Sequence, residues 1–305
     1  MNTDESPRAE VAEMKPNSQA TLHALGHQDD SSVSRIKAST SRTQLTEADE
    51  VLRAKKLETK WRTAQSLRLR VISSTVLPKG KVINISALGA DGSFRGAKDG
   101  RTYFGCRKRA EKGNKDSQIL NDILIPASDP DLTERHRGRH FQIEYDPFRE
   151  SYFIKDLGTG FGAFVKLDSQ LYLRDNNLLH IGESFVVVNL LQSKEDQTPR
   201  LRLKLFGGPS TGEVFYFSSG EVAENRVRVG RHPMCEVPIE DGLISKVQLT
   251  IRYEGESGWV LVDGDLDHQR VSTNGTWVYL SDEYEVYNGM VFKVNSTLFQ
   301  AMLWV

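Results

Sequence analysis

The chain has 305 residues, with 40 Lys and Arg against 41 Asp and Glu, a formal net charge of −1 and 38% hydrophobic residues. That length holds two ordinary domains and a tail, and the balanced charge excludes a global field that would draw nucleic acid or an anionic membrane. Two cysteines build no disulfide framework and stand in no metal-ligand spacing, and no apolar run reaches the ~18 residues of a membrane span. The expectation is a soluble intracellular protein, cytoplasmic or nuclear, with no cofactor or metal.

Residues 1–45 are rich in Ser, Thr, Asp, Glu and Gln and nearly free of aromatics. Such a segment buries too little apolar surface to offset the entropy of ordering, so a disordered tail is predicted. From Thr46 the texture changes. Glu47, Asp49 and Glu50 precede Lys55, Lys56, Lys60 and Arg62, the polarity a helix dipole favours. Val51, Leu52, Ala54, Leu57, Trp61 and Ala64 approximate an apolar stripe, and a helix over about Glu47 to Ser66, within a 46–68 segment, is predicted. Thr46, three residues before Asp49, has the spacing of a helix N-cap.

From Leu69 onward short strand-like runs take over: Lys81–Ile85, Thr102–Gly105, Asp122–Ile125, Phe141–Tyr145, Tyr152–Lys155 and Phe185–Val188, each bounded by Gly, Asp, Asn or Pro. After the polar stretch 193–199 they resume with Leu201–Phe206 and Glu213–Phe217 and end at Leu298–Val305. This predicts an all-β protein: a sandwich over 69–192, a linker over 193–199 and a second sandwich over 200–305. The halves align as copies. His140–Tyr145 lies over Gln248–Tyr253, Tyr152–Asp156 over Trp259–Asp263, and Gly162–Leu167 over Gly275–Leu280.

Within the second half, three polar stations interrupt the alternating pattern: Gly230-Arg231, Ser245-Lys246 and Ser272-Thr273-Asn274-Gly275-Thr276-Trp277-Val278. They offer a guanidinium, two hydroxyls, an ammonium and an amide with no carboxylate, a set suited to a phosphate dianion and the peptide carrying it. In this order and spacing they resemble the forkhead-associated (FHA) domain, a β-sandwich that binds phosphothreonine peptides. The resemblance covers roughly the last third of the chain. It implies that Arg231 meets the phosphopeptide backbone or the phosphate, that Ser245 and Lys246 meet the phosphate itself, that Thr273 adds a hydroxyl, and that Asn274 holds the peptide main chain. Gly230, Gln248 and Gly275 would shape the loops, with Gln248 standing where the family has a His. The implied partner is a phosphothreonine-containing protein, including the chain's own tail at Thr46 once phosphorylated, with no nucleic acid and no membrane; the implied role is an adaptor or scaffold.

The first half keeps Gly105, Arg107 and His140, but has Arg137 at the Ser position, Gly160 at the Thr position and Phe161 at the Asn position. It is therefore read as a degenerate copy, with Lys108 to Gln118 as a mobile insert. No His-Glu-x-x-His, Gly-x-Ser-x-Gly or Gly-Lys-Thr phosphate loop is present, and Asp129-Pro130-Asp131 is an ordinary solvated pair, so the chain is read as no enzyme. The alternatives are a phosphate-independent docking protein using both sandwiches and, more remotely, an unrecognised hydrolase.

Overall fold

The computed structural model describes residues 46–111, 113–126, 138–158, 160, 162–192, 197–220 and 226–304. The tail over 1–45, Arg137, Phe161 and Asp129–Asp131 lie outside the described residues.

Among them one α-helix, α1 (Glu47–Lys60), opens the fold. Thr46 caps it: its Oγ1 accepts from Asp49 N–H at 3.2 Å while Asp49 Oδ2 accepts from Thr46 N–H at 2.9 Å, a reciprocal capping box. The helix is shorter than predicted because the chain from Ser66 onward alternates apolar and polar, and burial of Leu67, Leu69 and Val71 in a sheet outweighs continued helix. The predicted stripe is also corrected. Val51 and Leu52 are exposed, and the residues that anchor the helix are Leu57 and Arg53. Arg53 donates to the carbonyls of Asp99 (2.7 Å) and Tyr145 (3.1 Å) and pairs with Glu144 at 2.8 Å. Its apolar stem and its five donors together do what a leucine would do on a purely apolar seat.

The first half supplies β1 (Ser66–Ser73), β2 (Val82–Ser86), β3 (Gly89–Ala90), β4 (Arg101–Gly105), β5 (Ile123–Leu124), β6 (Phe141–Asp146), β7 (Ser151–Asp156), β8 (Ala163–Lys166), β9 (Leu171–Tyr172), β10 (Asn177–Ile181) and β11 (Ser184–Gln192). The second supplies β12 (Pro199–Phe206), β13 (Val214–Ser218), β14 (Arg226–Gly230), β15 (Val237–Pro238), β16 (Leu249–Tyr253), β17 (Trp259–Asp263), β18 (Trp277–Tyr279), β19 (Tyr284–Glu285), β20 (Val291–Val294) and β21 (Thr297–Trp304). Among the described residues strand far outweighs helix, as an all-β reading requires.

The two halves do not close on themselves. One continuous sheet runs β13-β12-β11-β10-β18-β8-β20-β21-β1-β2-β3, and two five-stranded sheets run β15-β14-β16-β17-β9 and β19-β7-β6-β4-β5. Thus β9, β10 and β11 of the first half complete the sandwich around the second half's loops, and β19, β20 and β21 of the second half complete the other. The pairings mirror each other: Leu261 faces Leu171 and Ile154 faces Tyr284, while Leu173 N–H donates to Trp259 O and Val286 N–H to Tyr152 O, both at 2.8 Å. The stretch 193–199 does not separate two sandwiches: Gln192 pairs with Pro199 across a β11–β12 hairpin.

At the centre β8 and β18 pair antiparallel with Val165 opposite Val278, Phe164 opposite Tyr279 and Lys166 opposite Trp277. Alternation sends one face of every strand to a single apolar core. There Phe141 of the first half packs edge-on against Phe292 of the second, ring centres 5.8 Å apart. The opposite face carries a second buried cluster of Phe164, Phe185 and Trp277. In it the Lys293 ammonium meets His180 Nδ1 and lies over the Trp277 ring at 4.5 Å.

Candidate phosphopeptide site

Strand β16 lies antiparallel between β14 and β17, so the end of β14, the start of β16 and the end of β17 meet at one end of their sheet. The three polar stations fall there. Arg231 follows β14, Ser245 and Lys246 precede β16, and Thr273 and Asn274 precede β18.

Backbone contacts hold the first two loops together. Arg231 N–H donates to Ser245 O and His232 N–H to Lys246 O, both at 3.1 Å. Gly230 makes this approach possible, since a Cβ there would lie 2.2 Å from Lys246 O. The second and third loops join through hydroxyls: Ser245 Oγ accepts from Thr273 N–H at 2.9 Å and donates to Thr273 Oγ1 at 3.3 Å. Asn274 Nδ2 donates to Leu243 O at 2.6 Å.

Beneath this layer Gln248 is fully buried. Its Oε1 accepts from Ser245 N–H (2.9 Å), and its Nε2 donates to Ser272 Oγ (2.9 Å) and Gly275 O (3.0 Å). One amide thereby supports both contacting loops, using both its donor and acceptor ends. Ser272 Oγ donates to Asp263 Oδ1 at 2.7 Å and accepts from Gly275 N–H at 2.9 Å. Trp277 Nε1–H donates to Asn274 O at 3.2 Å, tying the turn to the buried aromatic cluster. Gly275 sits at φ +78°, a left-handed turn that turns the exposed Asn274 outward.

The structure therefore brings Arg231, Ser245, Lys246, Thr273 and Asn274 to one surface, with Gly230, Gln248 and Gly275 beneath or between them. Arg231 and Lys246 are exposed cations. The nearby carboxylate of Glu236 is taken up by Arg228, at 2.9 Å. Burial works against the Glu236 charge, but the hydrogen bonds from Arg228 hold its carboxyl below the usual range. The surface thus gathers two exposed cations with hydroxyl and amide donors, a set chemically suited to an anion. Cys235 is buried beneath it, and burial pushes its thiol up.

Several contributors were not singled out from the sequence. Ser272 and Asp263 form the hydrogen-bonded underside, and their signal was only a polar pair flanking a strand end. Met234, Leu243 and Val271 stand exposed in the same three loops; a reading based on polar stations passes over them. Lys166, from the first half, packs against Gly275, and no sequence pattern marks it.

The corresponding edge of the first half is built the same way but furnished differently. Gly105 has its missing Cβ 1.8 Å from Gly138 O, as Gly230 does against Lys246 O. Arg107 N–H donates to Gly138 O, the bond that His232 makes in the second half. Cys106 therefore stands where Arg231 stands, and Arg107 where His232 stands. His140 is buried in the place of Gln248, and Gly160 lies against its ring. Among the described residues no group of His, Cys, Asp and Glu could hold a metal ion, and no helix is long and apolar enough to cross a membrane.

Residues 227–294 match the family model described as FHA domain. No curated protein matches the chain.

Proposed function

From the premise that residues 227–294 are an FHA domain, a module that binds phosphothreonine peptides in signalling, we propose that this chain is a phosphothreonine-reading adaptor acting through Arg231, Ser245, Lys246, Thr273 and Asn274. The observation that carries the reading is the convergence of two exposed cations, two hydroxyls and an amide on three loops held by the buried Gln248. Arg231 and Lys246 supply charge-assisted hydrogen bonds, which form only when the threonine is phosphorylated. Asn274 fixes the peptide main chain beside it. The first half acts as a degenerate copy and a scaffold, because Cys106 and Gly160 replace a cation and a hydroxyl.

The chain's own Thr46 is a second candidate ligand within this reading. Its hydroxyl donates to Asp49 Oδ2 at 2.7 Å; a phosphate there removes that donor, sets a dianion against the Asp49 carboxylate and frees an extended segment for the groove.

The deciding experiment is a titration of the full chain with one threonine peptide in phosphorylated, phosphoserine and plain forms, repeated with Arg231→Ala. Binding restricted to the phosphothreonine form and weakened by about 1.5–3 kcal/mol in the variant is expected. Equal capture of all three forms, unchanged by Arg231→Ala, makes the chain a phosphate-independent docking protein. Comparing Thr46-phosphorylated protein with Thr46→Ala by light scattering and peptide competition tests the tail; no change in mass or affinity removes it as a ligand.

A further inference from the structure

The space that a Cβ on Gly275 would fill is taken by a side chain from the other half of the molecule. Lys166 places its Cε 2.4 Å, and its Cγ and Cδ 3.2 Å, from that point. Lys166 lies on β8, and its Cα partner across the central pairing is Trp277, the residue that holds Asn274 O. Its stem thus runs along the turn that presents Asn274, and its ammonium leaves the stem beside that turn. No described carboxylate pairs with it. The arrangement is reciprocal. Tyr279, from the second half, brings its ring to 3.1 Å from the point a Cβ on Gly162 would occupy, and its hydroxyl donates to Asp156 Oδ1 at 2.9 Å. Each half reaches from the central strand pair into the loop of the other, and in one direction what arrives is an uncommitted cation.

We propose that Lys166 is a further ligand-contacting residue of the second half's site, and that it selects phosphothreonine peptides with an acidic residue close to the phosphothreonine. The inference rests on the phosphopeptide reading above, in which the peptide main chain crosses Asn274. An ammonium beside the Asn274–Gly275 turn is then within reach of a carboxylate on a neighbouring peptide residue. A solvent-facing ion pair is worth about 0.2–1 kcal/mol, so the selectivity is modest, about 1.5- to 5-fold, and weakens with salt. The first half is then part of the site it does not itself possess.

The test titrates the full chain against a phosphothreonine peptide with neutral flanks and a set carrying one Asp at each flanking position. Wild type is expected to prefer at least one Asp peptide. Lys166→Met, which keeps the stem against Gly275, loses that preference, so that Asp and neutral phosphopeptides bind it alike; Lys166→Arg restores the preference. Arg231→Ala, in contrast, weakens every phosphopeptide. If binding depends on phosphate and on Arg231, yet no Asp position helps or Lys166→Met keeps the preference, the subsite is overturned and the phosphopeptide reading stands. If no phosphorylated peptide binds better than its plain form, both are overturned.

Discussion

Val165 and Val278 face each other across the antiparallel pairing of β8 and β18, at the centre of a local near-two-fold relation between the halves of one chain. On either side of them Leu167 N–H donates to Thr276 O at 2.8 Å and Leu280 N–H to Ala163 O at 2.9 Å. Beyond this crossing the strands of each half enter the sandwich of the other.

The crossing makes each half dependent on its neighbour's strands. Cut between β11 and β12, the chain yields two pieces, each left with β-edges that the other piece pairs in the intact protein. Co-expressed as separate chains they are expected to co-purify one to one. Analytical ultracentrifugation decides: two folded monomers that ignore each other would refute the exchange.

Gln248, fully buried, holds the loops that carry Ser245 and Gly275. Gln248→Ala strips partners from Ser245 N–H and Gly275 O, and each buried group left unsatisfied costs about 1–3 kcal/mol. Urea unfolding is expected to show a loss of about 2–6 kcal/mol for the two groups together, with weaker peptide binding. An unchanged midpoint would mean that water replaces the amide without cost.

Gly230, the last residue of β14, and Gly242, in the loop before β16, make a matched pair. A Cβ on Gly230 collides with the Lys246 backbone, whereas one on Gly242 meets nothing within 4 Å. Gly230→Ala is expected to cost about 1–3 kcal/mol by overpacking and to separate Arg231 from Ser245. Gly242→Ala is expected to be near neutral. Comparable melting temperatures for the two variants would contradict the close approach.

Lys293 and His180 give the stability a pH dependence. Burial lowers the Lys293 ammonium from 10.5 to about 7; burial, and then the Lys293 charge, lowers His180 from 6.5 to about 3. Between pH 7 and 10.5 the unfolded chain binds more protons at Lys293, so this contribution makes stability rise with pH across that window. His180 gives a rise of the same sign between pH 3 and 6.5. Lys293→Met is expected to flatten the upper limb. The difference from wild type is at most about 1.4 kcal/mol per pH unit, read from urea unfolding at pH 7, 8 and 9. Parallel curves would exclude Lys293 as the source.

What the sequence by itself determined was local. Alternating Leu201, Leu203 and Leu205, like Leu67, Leu69 and Val71, specify strands with one buried face, and the order of Arg231, Ser245 and Asn274 along the chain places three loops that antiparallel neighbours must bring to one edge. The loop-supporting role of Gln248 came with the resemblance alone, which sets it at the family's His position. The partner of each strand was not readable, because β10 and β20, or β1 and β12, carry the same two-residue period and similar apolar faces. Nothing in that pattern distinguishes a half that folds back from one that crosses over. Only the tertiary structure chose, through the β8–β18 pairing that directs the following segments outward. The same choice set Arg53 rather than Leu52 under the helix, since the seat it meets offers carbonyls of Asp99 and Tyr145. It also put Lys166 beside Gly275. Contacts of this kind depend on which surfaces meet, and a strand's own residues do not encode that.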